Sequence, residues 1–119
     1  MRTIGAVMVI AIVMTIAVGG LSLAAGDAAK GQATFQKLCS GCHGTTGKGD
    51  GAMGAALNPK PKDLSDKAYN GSLKDDYLVK VIKGGGQAVG KSPLMPNVGS
   101  SLKDDEMAGV IAYVRSLAK

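Results

Sequence analysis

Cys39 and Cys42 are the only cysteines in the chain and His43 is its only histidine. All three fall within one run, Cys39-Ser40-Gly41-Cys42-His43. A closed zinc site needs four ligands, and an open one three plus water. One histidine and two cysteines supply such a site poorly. A redox-active dithiol at this spacing expects a βαβ surround, and the helical patterning described below does not give one. A structural disulfide across two intervening residues would close a very short loop. The remaining chemistry suits the spacing. Two thiols two residues apart can add across the two vinyl groups on one edge of a porphyrin. A histidine directly after the second thiol can then lie beneath the ring and ligate iron. The motif therefore reads as the attachment site of one covalent haem c.

With a single histidine, the chain cannot ligate iron through two of its own imidazoles. Three methionines of the exported part compete for the sixth position. Met53 lies ten residues after His43 in a Gly-rich stretch and would have to cross quickly to the opposite haem face. Met107 falls on an apolar helical stripe and reads as core. Met95 sits in Pro93-Leu94-Met95-Pro96, between prolines that fix φ and stiffen the loop. Met95 is the expected ligand, and a thioether there favours ferrous iron. The other ring nitrogen of His43 needs an acceptor. The carbonyls of Pro59 and Pro61 are both candidates.

Three amphipathic helices are expected to position these groups. The first starts at Asp27 as N-cap, places Ala28, Gly31, Phe35 and Leu38 on one face, and ends at Ser40-Gly41. Gly31 costs helix stability, which implies close approach of another backbone. Residues 44–71 read as loop, broken by Gly44, Gly47, Gly49, Gly51 and Gly54, with a short helix possible near Ala52 to Leu57. So long a stretch needs support other than secondary structure. The second helix is expected from Ser72, with Asp75 in capping-box position, an apolar stripe of Leu73, Tyr77, Leu78, Val81 and Ile82, and Gly84 as C-cap. The third is expected from Ser101, with Met107, Val110, Ile111, Val114 and Leu117 on one face. Its early acidic residues and late Arg115 and Lys119 suit the helix dipole.

The 119 residues allow one domain. Arg2 is the only charge before Asp27, and residues 4–18 are almost wholly apolar. This is the pattern of a secretory signal peptide, with the cut expected after Ala24. The alternative is a retained anchor, since the apolar run is about long enough to span a bilayer. Either way residues 25–119 are exported, which fits covalently held haem and a periplasmic location. The chain has a net charge of +5, no Trp and one Phe. Its lysines are dispersed. Ordinary solubility and a weakly basic docking face both fit, whereas nucleic-acid binding has no basic block with exposed aromatics to support it.

The pattern resembles the class I c-type cytochromes over nearly all of the exported part. The resemblance rests on Gly31, Phe35, Cys39, Cys42, His43, the stretch Leu57 to Leu64, Met95 before Pro96, and Tyr113-Val114-Arg115. It implies an all-α fold wrapped around one haem, crossing first and last helices, and Phe35 packed near Val110 and Tyr113. It also implies His43 and Met95 as axial ligands and one-electron shuttling between donor and acceptor proteins, such as cytochromes, an oxidase or a reductase. Those encounters would be brief. An enzyme or gas-binding protein would instead need an open sixth position and distal acid/base groups. A membrane-tethered oxidase or reductase subunit would share the haem chemistry and keep the leader.

Overall fold

The computed structural model describes residues 26–119. The expected leader and the cut after Ala24 lie outside them. Five helices follow in order: α1 (Ala28–Leu38), α2 (Ser40–His43), α3 (Lys67–Ser72), α4 (Asp75–Gly84) and α5 (Asp104–Ser116). Single 3₁₀ turns lie at Gly54–Ala56 and Gly86–Val89. No strand occurs among the described residues, so the expected all-α class holds.

Asp27 caps α1 as expected. Its carboxylate accepts from the N–H groups of Ala29 at 3.0 Å and Lys30 at 3.2 Å. The helix then buries Gly31 and Phe35 against α5. The two helices meet backbone to backbone, because a Cβ on Gly31 would overlap the Gly109 carbonyl. The Phe35 and Tyr113 rings meet edge-on, 5.1 Å between centroids. Phe35 is 1% exposed. Burying a ring of that size contributes roughly 2–3 kcal/mol. From α4, Leu78, Val81 and Ile82 complete the core, with Met107, Val110 and Val114 of α5, Leu64 and Leu117.

Four points differ from expectation. The stretch 44–71 is not all loop: α3 occupies its end, and Ser72 closes that helix by donating its hydroxyl to the Tyr69 carbonyl at 2.6 Å. Asp66 caps α3 through the Tyr69 N–H at 2.7 Å. The next helix therefore begins only at Asp75, with Lys74 at the cap. Its C-terminal cap is Gly85 at φ 76°, one residue beyond Gly84. The last helix starts at Asp104 and not at Ser101. The Glu106 carboxylate reaches back to the Lys103 N–H at 2.8 Å, which fixes the start there.

Candidate functional site

At the end of α1 the chain does not leave the helix axis for long. Cys39 closes α1 by donating its N–H to the Phe35 carbonyl at 2.8 Å. The following turn, α2, is closed by the His43 N–H on the Cys39 carbonyl at 2.9 Å and by the Ser40 hydroxyl on the Gln36 carbonyl at 2.5 Å. In a helical turn, residues at i, i+3 and i+4 share a face. Cys39, Cys42 and His43 have that spacing. The motif is thus a helical turn rather than a helix exit.

Both cysteines are half-buried and free. Burial first, and then the neighbouring Cys42, push the Cys39 thiol up to about 11. Burial lowers the pKa of His43 and favours the neutral imidazole, the form that ligates metals. Its ring lies 6.3 Å from that of Phe35, tilted by 48°. Its Nδ1 is buried without a hydrogen-bond partner. Two unpaired thiols and one unsatisfied ring nitrogen, held by a single helical turn, fit a covalent haem.

The Gly-rich stretch after His43 is held by backbone contacts. The Gly51 N–H donates to the Cys42 carbonyl at 3.2 Å and the Met53 N–H to the Gly41 carbonyl at 2.9 Å. A Cβ on Gly54 would overlap the Cys42 carbonyl, so the 3₁₀ turn lies directly on α2. Met53 is carried outward and is 66% exposed. Met107 is 4% exposed and belongs to the core. Met95 is half-buried and packs against that core. Its carbonyl accepts from the Gly86 N–H at 3.0 Å, and its own N–H donates to the Ser92 carbonyl at 3.3 Å. Gly85 matters here twice over. Its φ of 76° disfavours other residues, and a Cβ would come within 2.7 Å of the Met95 carbonyl. The Met95 loop is therefore seated on Gly85 and Gly86.

Pro59 follows a cis peptide bond and is exposed, whereas Pro61 is half-buried. Neither proline carbonyl bonds His43 Nδ1. The Pro61 carbonyl packs on Gly49, whose N–H donates to the His43 carbonyl at 2.7 Å. Two residues that sequence reasoning gave no role at the site also converge on one another. Asn70 is 1% exposed and bonds the Leu64 and Val114 carbonyls. Arg115 reaches from α5 to α3 and α4. An Asn-Gly pair in a polar stretch reads as a turn, so Asn70 carried no usable signal.

The sequence model for the Cytochrome c family matches residues 28–118. The chain belongs to the cytochrome c family. As a member it is an electron-transfer haem protein with haem c bound covalently, and Cys39 and Cys42 fit the attachment motif. Over 91 residues it is 32% identical to a protein named as the cbb3-type cytochrome c oxidase subunit FixP of Bradyrhizobium diazoefficiens. The match covers 76% of this chain but only 28% of that protein. Among the described residues, no helix is long and apolar enough to cross a membrane.

Proposed function

We propose that this cytochrome c domain is a one-electron carrier of the periplasm, with His43 and Met95 as the axial ligands of its haem iron. The reading rests on the Met95 loop. Met95 alone, among Met53, Met95 and Met107, is half-buried in a loop fixed at both its N–H and its carbonyl. Haem c supplies a reversible ferric/ferrous couple when bound. The protein's part is to attach it through Cys39 and Cys42, to fill both axial positions, and to bury the ligands away from water. A filled shell leaves no site for a substrate, which favours carrier over enzyme. Of the two proline carbonyls, that of Pro61 is the better placed to accept from His43 Nδ1, since it packs on Gly49, whose N–H donates to the His43 carbonyl. Donors and acceptors would be redox proteins met in short encounters, as small redox interfaces allow.

Met95→Ala in the ferric holoprotein tests the ligand. The long-wavelength Met-to-iron band should disappear and the midpoint potential should fall. Retention of the band would sink the assignment. Fast carbon monoxide binding by the reduced wild-type protein at neutral pH would count for an open, gas-binding site instead.

A further inference from the structure

We infer that Asn70 and Arg115 form a positioning pair that sets the proximal side of the iron site, acting through Leu64. This rests on His43 ligation as proposed above. Asn70 is the one buried polar side chain of the core among the described residues. Its Nδ2 donates twice, to the Leu64 carbonyl at 2.8 Å and the Val114 carbonyl at 2.8 Å. Its Oδ1 accepts from Arg115 Nη1 at 3.3 Å, and the same Nη1 donates to the Asn70 carbonyl at 2.7 Å. The other fork of Arg115, Nη2, donates to the Leu73 carbonyl and to the Asp75 carboxylate, the latter at 2.7 Å. Two carbonyls on one side and a guanidinium on the other leave the amide a single satisfied orientation.

The pinned carbonyl links this hub to the site. Leu64 is held from both directions, its carbonyl by Asn70 and its N–H by the Gly47 carbonyl at 2.7 Å. Between Gly47 and His43 the chain is short, and the Gly49 N–H binds the His43 carbonyl at 2.7 Å. Three residues before Leu64, the Pro61 carbonyl packs on Gly49. A shift of Leu64 is therefore passed to the segment bonded to the His43 carbonyl. An apolar residue at position 70 could fill the same space, but it could not fix the Leu64 carbonyl. Burying an amide is costly unless its bonds are made, so the tie itself is the feature to explain.

The ferric holoprotein offers the test. Asn70→Asp keeps an acceptor for Arg115 but cannot donate to Leu64. It should move the hyperfine-shifted ring resonances of His43 and speed exchange of the Gly49 N–H, the donor to the His43 carbonyl, about ten-fold. The ε-methyl resonance of Met95 should stay in place. Asp75→Asn, which cuts only the outer ion pair, should leave His43 unchanged. Where Asn70→Asp takes up no haem, Arg115→Lys should give the same changes in smaller measure. The proposal is overturned if these variants lose stability in urea while the Gly49 N–H exchange and the His43 resonances match wild type. Absence of the long-wavelength band in wild type would instead strike at Met95 and leave the His43 signals readable.

Discussion

Met53 and Met107 share a side chain with Met95 but have no comparable setting. Met53 stands on the outside of the attachment turn, 66% exposed. Met53→Ala should leave the long-wavelength band and the potential unchanged, as read from ferric spectra and a redox titration. Met107→Ala should also keep the band, yet lower stability by about 2–4 kcal/mol in urea unfolding, because it opens a cavity in the core. At Gly31 the constraint is contact rather than chemistry. Gly31→Val would drive a branched side chain into the Gly109 carbonyl and force α1 and α5 apart. A loss of about 1–3 kcal/mol is expected, with the Phe35–Tyr113 contact loosened as well.

At the scale of elements, α1 depends on its start. Asp27→Ala removes the acceptor for two backbone N–H groups. It should cost about 1 kcal/mol, measured as a lower urea midpoint with an unchanged slope. Asp27 was legible in sequence because a cap is a local signal. The apolar stripes of α4 and α5 were legible too, since Leu78, Val81 and Ile82 repeat at helical spacing, as do Val110 and Val114. The attachment motif was legible because its chemistry demands a fixed spacing. Helix α3 was not. Its six residues contain Asn70-Gly71, a pair that favours turns, and what holds it is tertiary. Asn70 ties it to Leu64 and Val114, and Arg115 binds its last carbonyls. The starts at Ser72 and Ser101 failed for a related reason. Each serine offered a good local cap, but Ser72 closes the preceding helix and Glu106 sets the later start at Lys103. Likewise, nothing in the Gly-rich stretch announced that it would lie on α2 through backbone bonds.

The whole molecule carries a net charge of +5. Transfer to an acidic redox partner should slow as ionic strength rises, because salt screens long-range steering more than close contact. Stopped-flow rates over a salt series will show it, and a flat profile would mean that the lysines serve solubility alone. N-terminal sequencing of the exported protein should read from Ala25, whereas a start at Met1 would establish an anchored carrier. The half-buried thiol of Cys39 bears on a different matter, the order of events in maturation. Burial pushes that thiol up and partly covers it, and the thiolate is the reactive form. Both attachment thiols are half-buried in the folded chain, so thioether formation is expected before α1 closes on α5. Gly109→Val, which hinders that closure, should therefore still give chains that stain for covalent haem after denaturing electrophoresis, even as the finished protein unfolds at lower urea.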